Sequence, residues 1–311
     1  MAKSLSVIKR IFLFVFALVV GGLFCAVINN SQARLENYLY AQISQPVAQI
    51  VLSQKADGRD MELAAAAAYS LRVGASGRER VIFRKNIKQA LPIASLTKLM
   101  TALVVLEHPE IYDLDRQITI SGDAAIQNDV PVFGNLIADQ IYTTKELLHL
   151  MLFYSSNDAA FALSEVMGVD KFVNAMNQKA KELDMESAEF YNPSGLDLDD
   201  GTANQMSAKD LMFLTKHILD SHPEIIEYTI QRGPYITENG IFSLKLWDGQ
   251  KIVGGKTGYT PKAGGCMILI LKNDNQWRYF NILLGASSTE SRVVEMQKLI
   301  NYASNSDSPH L

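Results

Sequence analysis

The sequence predicts an α+β fold: an antiparallel sheet flanked by helices, with a helical lobe inserted between strands from both ends of the chain. Three observations predict it. Strand-like runs separated by a glycine turn occupy residues 63–87, and similar runs return at 251–285. Between them, residues 107–250 carry helical spacing and N-cap signals rather than alternation. A sheet assembled from the two ends must therefore close around a helical insertion.

Each element has a local reason. Leu63 to Val73 is alanine-rich and then apolar, Gly74-Ala-Ser-Gly77 supplies a turn, and Arg80 to Ile87 returns with alternating character. After Pro92, the residues Leu96, Leu99, Met100, Leu103 and Leu106 recur at helical spacing. That helix is apolar almost all round, which predicts a buried central position. A helix begins at Thr144 with Glu146 near its start and an apolar stripe from Leu147 to Leu152. Another follows Asn157 through Ala159 to Val166. Asp170 to Leu183 is amphipathic, and Ser207 is the expected cap of a helix over Ala208 to Leu219. Strands are expected over Lys251–Thr257, Gly265–Lys272 and Trp277–Gly285, followed by a closing helix from Thr289 to Tyr302.

At 311 residues with 48% apolar content, the chain can bury a sizeable core without disulfides. The formal charge of -4, with no basic run after the first ten residues, argues against a nucleic-acid partner. The two cysteines, Cys25 and Cys266, lie in unrelated contexts, so no bridge is expected, and Cys266 reads as a buried small hydrophobe. The five histidines are scattered and no H-E-x-x-H occurs, so no metal or cofactor is expected.

Residues 1–30 read as a targeting segment. Lys3, Lys9 and Arg10 precede an unbroken apolar run from Ile11 to Ile28, which orients the N-terminus towards the cytoplasm. Cleavage near Ser31-Gln-Ala33 stays open. The run exceeds the roughly 7–15 residues of a cleavable signal and approaches the roughly 17–25 of a bilayer span, which favours an uncleaved anchor. Bulky Phe24 before Cys25 argues against a lipoprotein site. Residues 31–62 are expected to connect this anchor to a domain over 63–303, with a polar tail over 304–311. The domain is then exported, on the extracytoplasmic side of the cell membrane.

Three strings carry chemistry: Ser95-Leu-Thr-Lys98, Ser155-Ser-Asn157 and Lys256-Thr-Gly258. A serine hydroxyl is a poor nucleophile until a base removes its proton. Lys98, three residues after Ser95, shares a helix face with it. A dry pocket and a second cation, for which Lys256 is the candidate, would lower the lysine pKa enough for that task. Ser155 would relay a proton and the Asn157 amide would hold a substrate backbone. Gly254 to Tyr259 reads as a strand whose glycines admit a close backbone, with Lys256 and Thr257 facing a carboxylate. Each string alone also has an ordinary reading: a surface Ser–Lys pair, helix capping by Ser155 or Asn157, or a glycine bulge with a solvent-facing lysine. A phosphate loop is absent, since Gln250 occupies the place of its first glycine.

Together, in this order, the strings resemble those of the low-molecular-weight penicillin-binding proteins, the serine-type D-alanyl-D-alanine carboxypeptidases, with a β-lactamase/transpeptidase-like fold. The similarity extends over roughly Ala64 to Tyr302. It includes Pro92-Ile-Ala-Ser-Leu-Thr-Lys-Leu-Met-Thr-Ala102, Glu146 to Ala160, Phe190-Tyr-Asn-Pro-Ser-Gly-Leu-Asp197, Ser207-Ala-Lys-Asp210, Lys256 to Gly264 and Leu284 to Arg292. The resemblance implies that Ser95 forms an acyl-enzyme with Lys98 as its base, and that Ser155 and Asn157 form a second element. It further implies that Lys256 and Thr257 bind a terminal carboxylate with help from Arg292. The backbone N–H groups of Ser95 and Tyr259, the latter following Gly258, would form an oxyanion hole. The implied partners are the peptidoglycan stem peptide and β-lactam antibiotics, with no cofactor.

The chain departs from the resemblance in three places. Many relatives carry a C-terminal β-rich domain and an amphipathic membrane helix, whereas here a polar tail, Asn305 to Leu311, follows the closing helix, so the N-terminal segment is the expected attachment. The first hairpin has Leu71-Arg72-Val73 in place of a common Asp, and Ser243 to Gln250 matches poorly an Asn-rich segment. Rival readings are a class A β-lactamase using Glu189, a D,D-endopeptidase, a non-catalytic cell-wall binder and a membrane-tethered helical interaction protein. The Glu189-Phe-Tyr-Asn192 spacing is one residue short of the lactamase pattern, so turn chemistry is the expected job of Asn192. An intact Ser95, Lys98 and Lys256 argue against a pure binder.

Overall fold

A computed structural model describes residues 61–127, 135–230 and 251–305. The expectations for residues 1–60, for Ser243 to Gln250 and for the tail beyond 305 fall outside the described residues. All described residues lie in one unit, Asp57–Leu311, and among them no helix is long and apolar enough to cross a membrane.

The sheet is the one expected from the two chain ends. Strands β1 (Ala67–Val73) and β2 (Glu79–Lys85) form the hairpin, β3 (Leu91–Pro92) follows, and β7 (Lys251–Thr260), β8 (Gly264–Lys272) and β9 (Arg278–Ala286) come late. Five of these strands form an antiparallel sheet in the order β2-β1-β9-β8-β7. Its β8 strand is buried from Gly265 to Leu271. Residues alternate between faces along a strand. Met267, Leu269 and Leu271 accordingly pack with Met296, Leu299 and Ile300 of the closing helix α7 (Thr289–Asn305). Cys266, Ile268 and Ile270 face the other way, into the larger core shared with the helical lobe.

That lobe contains α1 (Lys98–Leu106), α2 (Thr144–Phe153), α3 (Asn157–Met167), α4 (Val169–Glu182), α5 (Ala208–Ser221) and α6 (Pro223–Tyr228). Short strands β4 (Gln117–Thr119), β5 (Ile141–Thr143) and β6 (Gln205–Met206) lie among them; β4 pairs with β5, and β6 with β3. Residues Lys98 to Val105 of α1 are all buried, as its uniform apolarity predicts. Thr143 and Glu146 form a capping box at the start of α2, with the Glu146 N–H donated to Thr143 Oγ1 at 3.2 Å and the Thr143 N–H to Glu146 Oε2 at 2.7 Å. Ser207 caps α5 by accepting the Asp210 N–H at 3.1 Å. Bounds of the expected helices otherwise differ by up to two residues, except that the closing helix runs three residues further, to Asn305.

The first residues of the domain are tied down from two sides. Glu295 of α7, buried beneath the sheet, accepts the Ala64 and Ala65 N–H groups at 2.5 and 3.4 Å. Lys85 Nζ donates to Leu63 O at 2.6 Å.

Candidate active site

Ser95 lies in a 3-10 turn, Ala94–Thr97, immediately ahead of α1, rather than in the α-helix proper. Ala94 has φ of +47°, in the left-handed region that costs a non-glycine residue energy. The turn brings half-buried Ser95 and fully buried Lys98 together, with Lys98 Nζ 2.9 Å from Ser95 Oγ. Two further contacts fix the lysine: Nζ donates to Asn157 Oδ1 at 2.7 Å and to the Ser194 carbonyl at 2.8 Å. A neutral amine has two N–H groups and one lone pair. In that neutral form the two N–H groups would serve the Asn157 and Ser194 oxygens, and the lone pair would face the Ser95 hydroxyl. Burial first, and then the Lys256 ammonium, hold Lys98 well below the ordinary lysine value.

The second string sits at the α2–α3 junction and differs from the capping reading. Ser156, not Ser155 or Asn157, caps α3, accepting the Ala159 N–H at 3.1 Å. Ser155 has φ of +65°, and its Oγ accepts from Lys256 Nζ at 2.8 Å. It thus faces Lys256. Asn157 turns its side-chain oxygen to the base.

The third string lies on β7, which is an edge among the described strands. The Gly255 N–H donates to Thr229 Oγ1 at 3.0 Å, away from the β8 side. Alternation along the strand then turns the N–H groups of Thr257 and Tyr259 towards the same open edge. Gly258 is required by proximity: a Cβ there would lie 2.8 Å from Ser95 N and 3.1 Å from Ile93 O. Lys256 is 3% exposed and also donates to Thr257 O at 3.0 Å. Burial, and then the Arg292 guanidinium, bring its pKa down to about 7. Arg292 Nη1 donates to Gly258 O at 2.8 Å. Tyr259 is exposed beside this edge.

A loop that composition alone did not mark supplies the fourth wall. Asn192 Oδ1 accepts the N–H groups of Ser194 and Gly195 at 3.1 and 2.7 Å, and its Nδ2 donates to Leu196 O at 2.9 Å. This is the turn chemistry expected of Asn192. Thr101 Oγ1 donates to Pro193 O at 2.6 Å, and Asn204 Nδ2 donates to Thr97 Oγ1 at 3.1 Å and to Asn192 O at 2.8 Å. These bonds bring the Ser194 carbonyl to Lys98. At the far end, Thr260 Oγ1 donates to Asp197 at 2.9 Å, joining the loop to β7. The Phe190 to Asp197 string was the signal available in the sequence. Glu189, the rival lactamase base, is exposed and accepts from Gln205 Nε2 at 2.8 Å. Cys266 is fully buried and its thiol is raised to about 11 by burial, so it is chemically quiet, as expected.

A nucleophile beside a buried lysine of lowered pKa, a strand edge that closely approaches the nucleophile's backbone, and a second buried lysine at that edge form a site suited to acyl transfer to serine from an extended, carboxylate-bearing chain. The fold agrees with that class. Penicillin-binding protein D2 from Listeria monocytogenes, solved in its cefotaxime-bound form, superposes with a TM-score of 0.62 at 29% identity, over 78% of this chain and 98% of that one. Residues 55–288 match the D-alanyl-D-alanine carboxypeptidase family, and the chain belongs to it. Arg292 falls just beyond the matched span. Among curated relatives, D-alanyl-D-alanine carboxypeptidase DacF of Bacillus subtilis is 30% identical over 72% of this chain and 59% of its own length. A D-alanyl-D-alanine endopeptidase of Pseudomonas aeruginosa is 32% identical over 61% of this chain and 62% of its own. The alignments thus span less than two thirds of either relative.

Proposed function

We propose that the chain is a serine D,D-carboxypeptidase that removes the terminal D-alanine from peptidoglycan stem pentapeptides and is acylated by penicillins. Lys98 Nζ takes the Ser95 proton as Oγ bonds to the penultimate D-alanine carbonyl. The C–N bond then breaks, and Lys98 passes the proton it took from Ser95 through Ser155 to the departing D-alanine amine. Water hydrolyses the resulting ester and restores Ser95. The N–H groups of Ser95 and Tyr259 hold the oxyanion, Asn157 orients the base, and Lys256 and Thr257 receive the terminal carboxylate. The observation that carries this reading is the buried Lys98 amine, 2.9 Å from Ser95 Oγ and fixed by Asn157 Oδ1 and the Ser194 carbonyl.

The same reading places catalysis outside the cytoplasmic membrane, in a domain over 63–303 held by the N-terminal segment. Support comes from Lys3, Lys9 and Arg10 ahead of the apolar run Ile11 to Ile28. Membrane fractionation and the intact mass of the mature chain test the attachment. Endopeptidase action is a second reading, supported by the similarity to the Pseudomonas aeruginosa relative and needing only a longer leaving group at the same edge.

The test is incubation of the full chain and Ser95→Ala with labelled penicillin, adduct mapping by mass spectrometry, then assay of D-alanine release. A lasting adduct on Ser95, absent from the variant, with D-alanine release from pentapeptide, is the expected result. Cleavage of cross-linked dimers without D-alanine release would favour the endopeptidase. Drug hydrolysis without accumulation of an adduct, or no adduct at all, would overturn the reading.

A further inference from the structure

Resting on the acyl-transfer reading above, we propose that Arg292 is a positioning residue for the oxyanion hole: it holds and polarises the Gly258–Tyr259 peptide, whose N–H receives the developing negative charge. The family resemblance implies a different task, direct help with the substrate carboxylate. The Arg292–Gly258 contact is the observation that favours the peptide-holding task.

Arg292 Nη1 donates to the Gly258 carbonyl oxygen at 2.8 Å. That carbonyl and the Tyr259 N–H belong to one planar trans peptide, so they point in opposite directions and share a delocalised electron system. A cationic donor on the oxygen draws electron density from the nitrogen and strengthens the N–H as a donor. The direction of that N–H follows from the strand. Gly255 N–H is turned off the β8 side onto Thr229, and Tyr259, four residues on, repeats its orientation. The same peptide borders the nucleophile, since a Cβ on Gly258 would lie 2.8 Å from Ser95 N.

A second glycine allows the reach. Gly265 on β8 is the register partner of Tyr259. A Cβ there would lie 2.8 Å from Arg292 Cβ and 2.6 Å from Ser288 O. A bare backbone at Gly265 therefore lets the first turn of α7 settle over β8, where the Arg292 N–H donates to Ser288 O at 3.0 Å. From that seat the guanidinium reaches Gly258 on the neighbouring strand. Its charge also bears on Lys256 and helps depress that lysine.

The experiment uses the full chain as wild type, Arg292→Gln and Arg292→Lys. Acylation is timed with two D-alanyl thioesters, one with a free carboxylate on its leaving group and one with that carboxylate esterified. The acyl-enzyme C=O stretch is read by infrared difference spectroscopy. In Arg292→Gln, acylation is expected to fall about tenfold to a hundredfold with both thioesters, less than the roughly 10²–10³ for removing an oxyanion donor outright. The ester stretch moves to higher frequency, and Arg292→Lys recovers part of both effects. A loss confined to the free-carboxylate thioester, with the stretch unmoved, would overturn the proposal in favour of carboxylate binding. If Arg292→Gln does not fold, the stretch in Arg292→Lys decides: an upward shift supports the proposal and an unchanged frequency overturns it. Wild-type protein that is not acylated on Ser95 by either thioester would instead overturn the acyl-transfer reading, and this inference with it.

Discussion

Gly258 approaches Ser95 so closely that a methyl group on its α-carbon would sit 2.8 Å from the Ser95 nitrogen. Real side chains do not tolerate that separation, so in Gly258→Ala either β7 or the nucleophile turn must move. Loss of one oxyanion donor costs about 10²–10³ in rate. Gly258→Ala is therefore expected to slow penicillin acylation by about two orders of magnitude. Wild-type acylation in that variant, measured with labelled drug, would show that the close approach has no catalytic consequence.

The base should respond to its neighbouring cation. Lys256 is the second cause of the low Lys98 pKa, after burial. Removing that charge in Lys256→Gln makes protonated Lys98 less unfavourable, so its pKa rises. The acid limb of the acylation profile is expected to move to higher pH, and a pH–rate series at saturating drug measures it. An unmoved limb would mean that burial alone sets the base.

Stability should carry the same signature. Below about pH 7 Lys256 is charged in both folded and unfolded chains, and the folded state bears the full cost of burying it. Between about 7 and the ordinary value of 10.5 the folded chain has released this proton while the unfolded chain keeps it. The unfolded state then binds more protons, so stability rises with pH across this window, by up to about 1.4 kcal/mol per pH unit per proton. Urea unfolding at several pH values is expected to show a shallower rise in Lys256→Gln than in wild type.

Asn192 holds the Ser194 carbonyl in place through bonds to the Ser194 and Gly195 N–H groups and the Leu196 carbonyl. Asn192→Ala leaves these groups without their partner, at a cost of about 1–3 kcal/mol. Acylation should slow as well, because Lys98 loses a fixed acceptor. A lowered urea midpoint with unchanged acylation would separate the loop from the chemistry.

Glu189 is exposed and bonded to Gln205, so no part in deacylation is expected of it. Glu189→Gln is expected to release bound penicillin at the wild-type rate. A slower release, followed by the half-life of the labelled adduct, would revive the lactamase reading.

The sheet, the central helix and the Ser207 cap were legible because they depend on local patterns: alternation, uniform apolarity, and a serine just ahead of a helical run. Ser95, Lys98 and Lys256 were legible because their chemistry belongs to their side chains. The rest of the site was not, for a physical reason. Two of the decisive partners are backbone carbonyls, Ser194 O for Lys98 and Gly258 O for Arg292, and every residue carries a carbonyl. The left-handed turn at Ser155 likewise hides its target, since the backbone conformation and not the residue type directs that hydroxyl to Lys256. The two-residue strands β3 and β6 were too short to show any period.

The grip of Glu295 and Lys85 on the chain at Leu63 to Ala65 has a mechanical consequence. A pull on the polypeptide ahead of that point loads two hydrogen-bonded side chains on α7 and β2 before it strains β1. Two further strands, β9 and β8, then separate β1 from β7. Because Glu295 and Arg292 share α7, a load taken up at Leu63 to Ala65 is carried on the same helix that reaches the Gly258 carbonyl.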